Sequence, residues 1–248
     1  MMSHGKFGKS ENQRKFAEEA AIQAGFRPWA SGTSRKNEWA PSLEIAGFDV
    51  CPKPGYGWLS TPTMIREIVQ YGHPILRQRC RPVTEVDDVL IQLVADMLDT
   101  MVEANGVGLA APQVDEDLRL AVIDVSHDPE CVSFLKVNGE DADLESIMPL
   151  VFINPELAYS KEKELGMEGC LSIRGIRAEV RRPAAVKATL PQLDGSVLVV
   201  ETDGLLARAL QHEIDHLNGV LFVDRLTAVG KVSMKNRLRR LLEENEQS

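Results

Sequence analysis

Nine residues, Gln211-His212-Glu213-Ile214-Asp215-His216-Leu217-Asn218-Gly219, restrict this chain more than any other stretch, because they crowd two imidazoles and a carboxylate into about one helical turn. A helix advances about 100° per residue, so His212 and His216 project about 40° apart and one turn along the axis, a separation suited to two ligands of one cation. Glu213 falls on the flank of that pair. Leu205 and Ala209 land within about 60° of His212, whereas Leu206, Leu210, Ile214 and Leu217 gather roughly 120° to 200° away. The helix is therefore expected to turn one apolar stripe into a core. Another face would carry ligands beside a small apolar patch where a substrate side chain could rest.

Such a helix needs a body around it, and 248 residues suffice for one large domain or for a domain with an appendage. The sequence favours the second. With 44% apolar and 26% charged residues, and no apolar run near the roughly 18 residues of a membrane span, the chain is expected to be soluble and globular, with no membrane partner. The N-terminus lacks the apolar run of a signal peptide, and Glu11, Glu18 and Glu19 argue against a transit peptide, so a cytoplasmic location is expected. The four cysteines, Cys51, Cys80, Cys131 and Cys170, are scattered with no CxxC pair, which argues against a disulfide framework in that compartment. A net charge of −9 argues against broad nucleic-acid binding and leaves a local basic patch open.

Residues 1–62 differ from the rest. Gly, Ser, Pro and Asn are frequent there, all three tryptophans (Trp29, Trp39, Trp58) are found there, and a short helix is expected from Ser10 to Ala24. The segment reads as a loosely structured extension that wraps the body, with a binding or regulatory arm as the alternative. Ile65–Val69 and Arg77–Val83 read as extended pieces around a turn at Gly72–Leu76, in which His73 is a turn residue. Thr84 offers an N-cap for a helix over Asp87–Ala104, whose apolar side combines Val89, Leu93, Met97 and Met101 with Leu90, Val94 and Leu98. Strands are expected at Leu118–Val125, Val151–Asn154, Ile173–Val180, Ala185–Leu190 and Val197–Glu201, with Asp194-Gly195 turning the last hairpin. Residues 126–149 read as a long surface loop. Within it His127 and Cys131 are a surface pair before they are a second metal site. Thr202 or Asp203 would cap the helix that starts near Gly204.

Two further stretches carry chemistry. Gly106-Val107-Gly108-Leu109-Ala110-Ala111-Pro112-Gln113 alternates glycine with apolar residues, which permits close backbone approach and leaves main-chain groups for a ligand. It lacks the Lys-Ser/Thr ending of a phosphate loop, though a purely structural turn stays open. Gln113 offers a carboxamide that could donate to an oxyanion. Glu168-Gly169-Cys170-Leu171-Ser172 places a cysteine among small neighbours at the start of a strand. A buried inert thiol and a third metal ligand are both compatible with it.

The order Gly-x-Gly-x-Ala-Ala-x-Gln, Glu-Gly-Cys-Leu-Ser, Gln-His-Glu-x-Asp-His-Leu-x-Gly, over roughly residues 64–226, resembles the peptide deformylase family. The resemblance implies an α+β fold with antiparallel or mixed β-sheets around a central metal-binding HExxH helix, and a C-terminal helix, over residues 63–248. It implies that Cys170, His212 and His216 bind a divalent metal, Fe2+ with Zn2+, Ni2+ or Co2+ as substitutes, and that Glu213 is general base and then acid. Gln113 and the Leu171 N–H would hold the oxyanion formed when water attacks the formyl group of an N-formylmethionyl nascent polypeptide. Main-chain groups of Val107, Gly108 and Gly169 would bind the peptide as an added strand, Val107, Leu205 and Ala209 would receive the methionine side chain, and Arg177 would line the next subsite. Arg208 would run its stem along that pocket with its charge at the rim. Glu168, beside an arginine or a turn, and Asp215, pointing away from the ligands, would be supporting groups.

A helix over Leu226–Gln247, apolar along Val232, Leu238, Leu241 and Leu242, carries Lys231, Lys235, Arg237, Arg239 and Arg240 in an otherwise acidic chain. A solvated face explains it. The resemblance adds docking on ribosomal RNA. Two other classes compete. A zinc endopeptidase shares HExxH, but no histidine follows His216 to complete its ligand set. A non-catalytic relative would not need every reactive position intact.

Overall fold

The computed structural model describes residues 62–128 and 132–245. The expected Ser10–Ala24 helix, the tryptophan-containing extension and the Cys131 half of the His127/Cys131 pair lie outside those residues.

Helix α1 (Asp88–Glu103) forms where the apolar period is strongest. Its N-cap is Asp87, whose side chain accepts from the Leu90 N–H at 2.8 Å, and not Thr84 as the sequence suggested. Leu90, Leu93, Val94, Met97, Leu98 and Met101 are buried. Val89, expected on that apolar side, is 76% exposed, so the buried side begins at Leu90. Asn105, at φ 53°, ends the helix in the left-handed region that asparagine tolerates.

Ten strands build three sheets among the described residues. β1 (Gly108–Ala110), β2 (Leu120–Ile123) and β5 (Leu150–Ile153) form the first, in that order. The second has the order β4 (Glu140–Asp141), β3 (Leu135–Val137), β10 (Val197–Asp203), β9 (Ala185–Pro191), β6 (Glu156–Tyr159). The third is the two-stranded pair of β7 (Lys163–Cys170) and β8 (Ile173–Pro183). Among the described residues every strand pair is antiparallel, and parallel pairing is confined to a single Arg81–Leu118 bridge. The stretch expected as a loop is thus partly sheet. Asn138 and Gly139, both at positive φ, turn a β3–β4 hairpin, and Leu135 and Leu144 are buried in the core.

Helix α2 (Gly204–Leu217) packs against β1, β2, β9 and β10. Its expected apolar stripe is the observed one: Leu206, Leu210 and Leu217 are wholly buried and Ile214 nearly so, against Phe152, Leu190 and Val200. Asp203 occupies the N-cap position, but its carboxylate accepts instead from the Ser133 and Phe134 N–H groups, at 2.7 and 3.2 Å. Helix α3 (Ala228–Asn245) covers a separate cluster around Ile75, Leu76, Ile173, Ile176 and Phe222 with Met234, Leu238 and Leu241. Val232, expected on that apolar side, is 76% exposed. Met234 takes its place.

Candidate metal centre

The chain crosses itself where α2, the end of β7 and the turn after β1 meet. Cys170 closes β7 at a register shift between Gly169 and Cys170, so it ends a strand where the sequence had suggested it begins one. The irregularity turns its sulfur towards α2, 3.2 Å from His216 Nε2. One ligand atom from each of Cys170, His212 and His216 lies within 4.8 Å of the others. A sulfur and two imidazole nitrogens at that spacing could hold a borderline-soft divalent cation such as zinc or ferrous iron.

Gln113 enters from the short 3-10 turn Ala111–Val114 that follows β1. Its Oε1 accepts from the Ala110 N–H at 2.9 Å, which turns Nε2 towards Cys170 Sγ (3.5 Å) and Ser172 Oγ (3.2 Å). The carboxamide therefore presents N–H groups to the cluster. Glu213 is buried on the same side, and its Oε2, like His216 Nδ1, has no hydrogen-bond partner among the described residues. A Cβ on Gly108 would overlap the Glu213 carboxylate, and one on Gly106 would come within 2.8 Å of Leu171 Cδ1. The two glycines of the Gly-x-Gly stretch thus clear space for two of the site's own residues.

Burial lifts the Glu213 carboxyl to about 7, against the opposing pull of the nearby His212 and Arg182 cations. A carboxyl poised near neutrality can both take a proton and return it. The histidines diverge. Burial, then the charge of His212, pushes His216 well below the usual imidazole range, whereas at His212 the lowering by burial is outweighed by Cys170 and Glu168, which raise it to about 10. The negative field that favours a proton on His212 also favours a divalent cation beside it.

That field has a built support. Glu168 Oε2 lies 3.1 Å from His212 Nδ1, and Arg182 grips both Glu168 oxygens, at 2.6 and 2.9 Å. Arg182 also donates to Asp215 Oδ2 at 2.8 Å, and Arg225 donates to both Asp215 oxygens. Burial raises the Glu168 pKa, but the hydrogen bonds from His212 and Arg182 outweigh it and hold the carboxyl at about 2. Sequence reasoning identified Glu168 and Asp215 as supporting groups and missed Arg182. The alternation of Ile176, Ala178 and Val180 along β8 puts residue 182 on the inward face, so a signal was there.

A cleft of about 450 Å³ opens over the cluster. Val107, Gly108 and Gln113 line it from the β1 side, Gly169, Cys170, Leu171 and Arg177 from the β7–β8 side, and Leu205, Ala209, His212 and Glu213 from α2. The structure thus brings the expected site residues to one place; of them only His216, the buried member of the cluster, does not line the cleft. Arg208 departs from the expectation of a charge held at the rim. Its side chain is 11% exposed and its guanidinium donates to Glu168 Oε1 at 2.8 Å, to Glu164 Oε1 at 3.2 Å and to the Val180 carbonyl at 3.2 Å. It packs beneath Gly166, where a Cβ would come within 2.6 Å of the guanidinium carbon.

Residues 65–232 match the family model for polypeptide deformylase. A peptide deformylase of Methylacidiphilum infernorum is 46% identical over 178 residues, 72% of this chain and 93% of that protein. Peptide deformylase 1 of Clostridium acetobutylicum is 46% identical over 162 residues, 65% of this chain and 95% of that protein. Among solved structures, the peptide deformylase of Synechococcus elongatus in complex with actinonin is 38% identical with a TM-score of 0.59, over 72% of this chain and 90% of that one. That of Legionella pneumophila is 35% identical with a TM-score of 0.60, over 75% of this chain and 99% of that one. With the fold, the cluster and sequence identity over most of the chain in agreement, the protein belongs to the peptide deformylase family.

Proposed function

We propose that this chain removes the formyl group from N-formylmethionine at the start of newly made polypeptides, releasing formate. The observation that carries the reading is the convergence of Cys170, His212, Glu213 and Gln113 in one cleft of a family member, with His216 beneath it in ligand reach of Cys170 and His212. In this reading α2 is the central metal-binding helix, residues 63–248 are the catalytic domain and residues 1–62 an extension, and the enzyme works in the cytoplasm. Among the described residues no helix is long and apolar enough to cross a membrane.

A divalent cation held by Cys170, His212 and His216, with Fe2+ as the first choice and Zn2+, Ni2+ or Co2+ as substitutes, would supply a Lewis acid that makes water a nucleophile near neutral pH. The remaining work falls to the chain. Glu213 accepts the proton of the attacking water and later delivers it to the departing amine. The Gln113 carboxamide and the Leu171 N–H donate to the formyl oxygen as it becomes an oxyanion. β1 and β7 are both terminal strands of their sheets, which supports an extended peptide lying between them on main-chain groups of Val107, Gly108 and Gly169. Val107, Leu205 and Ala209 then receive the methionine side chain, and Arg177 faces the following residue.

Metal-replete protein should release formate from a formyl-Met peptide under anaerobic assay. Cys170→Ala should lose bound metal by elemental analysis and formate release with it. No formate from metal-loaded parent protein would reject the function. The basic face of α3 supports a second partner, the ribosome near the nascent-chain exit. Because Met234, Leu238 and Leu241 cover core residues, charge reversal tests this more cleanly than deletion. Replacing Lys231, Lys235, Arg239 and Arg240 by Glu should spare hydrolysis of a short formyl peptide and weaken ribosome co-sedimentation at low salt. Unchanged sedimentation would remove the ribosome from the account.

A further inference from the structure

The Leu171-Ser172 turn carries one of the proposed oxyanion donors, yet it lies outside the β7–β8 ladder. Leu171 and Ser172 form the turn between β7 and β8, just past the register shift at Gly169 and Cys170. The Leu171 N–H finds no acceptor among the described residues. What fixes this turn arrives from elsewhere in the chain. Gln70 Nε2 donates to the Leu171 carbonyl at 3.2 Å, and the Tyr71 N–H donates to the Ser172 carbonyl at 2.8 Å. The Val69 N–H donates to the Gln113 carbonyl at 2.9 Å, so residues 69–71 touch the carriers of both proposed oxyanion donors.

The Gln70 carboxamide can take only one orientation there. Its Nε2 also lies 2.9 Å from the Ile68 carbonyl, so two acceptors face one group, and only the NH2 end can meet them. Its Oε1 is left buried with no hydrogen-bond partner among the described residues. The segment is positioned from outside the cleft. Asp96, 1% exposed on α1, accepts from the Met64 N–H and from Arg66 Nε, both at 2.9 Å, and Thr100 Oγ1 accepts from the Arg66 N–H at 2.8 Å.

We infer that Gln70 is a positioning residue for the reaction: by holding the Leu171 carbonyl it sets the direction of the Leu171 N–H. The two peptide groups flanking the Leu171 Cα turn about its φ and ψ alone, so clamping one restricts the other. This rests on the function proposed above. The chemistry of the test is a reversal of polarity at constant shape: Gln70→Glu puts a carboxylate oxygen against two carbonyl oxygens, and Gln70→Met keeps the length without a donor.

Both variants are expected to lower kcat for a formyl-Met peptide by roughly 10- to 100-fold, the scale of a displaced oxyanion donor. KM should change by less than about threefold, because the donor acts on charge that develops after binding. Metal content and the absorption spectrum of the cobalt-loaded protein should match the parent in both variants, and the melting temperature should match in Gln70→Met, which buries no charge. A kcat within twofold of the parent in both variants overturns the inference, as does a loss confined to KM, one that tracks lost metal, or one that in Gln70→Met tracks a lowered melting temperature. The two ideas fail separately: an inactive parent sinks the proposed function, whereas an active parent with equally active Gln70 variants sinks only the positioning role.

Discussion

Glu213→Gln lowers the rate of formate release by about 10²- to 10⁴-fold, the range expected when a general acid–base group is removed from an otherwise intact site. The substitution is chosen for shape. Glu213 is buried directly beneath Gly108 with no room for a larger group, and glutamine keeps its outline. The oxygen without a partner among the described residues marks the position from which the proton would be taken. Metal content, measured on the same preparation, should be unchanged, since Glu213 is not among the three residues that cluster around the cation position. A variant retaining more than a tenth of the parent rate would sink the assignment of Glu213 as base.

Arg182→Met destabilises the fold by about 3–5 kcal/mol, the usual penalty for removing one member of a buried ionic network. Arg182 is 3% exposed and stands between Glu168 and Asp215, which are themselves buried. Arg208 still reaches Glu168 and Arg225 still reaches Asp215, but neither bridges the two. Urea unfolding at neutral pH measures the loss, and a change below about 1 kcal/mol would mean that the remaining arginines suffice. Acid behaviour follows from the sign of the Glu168 shift. Its carboxyl is held at about 2 in the folded chain against an ordinary 4.5, so its stabilisation is complete above about pH 4.5 and is lost as pH falls towards 2. Without Arg182 the folded carboxyl should titrate closer to its ordinary value, so that decline should be smaller and end at higher pH.

Much of the site was legible because its residues sit on strongly periodic elements. The α2 pattern separated His212 and His216 from Leu206, Leu210 and Ile214, and the buried stripe is where it was expected. β7 escaped notice for a physical reason. In Lys163–Cys170 the apolar Leu165 and Met167 are exposed while Glu168 is buried on its arginines, so alternation reads backwards, and two glycines weaken the strand signal further. The β3–β4 hairpin was hidden by its length, since three and two residues are too few to show a period. Val89 and Val232 show the opposite error. An apolar residue in helical register is buried only where a neighbouring element reaches it, and register alone does not say how far the contact extends. Arg208 misled because a long cation was assumed to seek water, whereas Glu168 and Glu164 hold it inside.

One carboxylate serves two masters. Glu168 binds the His212 ring through Oε2 and the Arg208 guanidinium through Oε1, and Arg208 forms part of the wall against which a substrate side chain would lie. A redesign that exchanges Arg208 for a smaller residue, intended only to widen what the cleft accepts, also strips a counter-charge from the carboxylate that holds the His212 ring. Under the proposed function, substrate choice and hold on a cation would thereby be linked through one side chain. Variants selected for a new formylated substrate should be screened for metal retention in the same round.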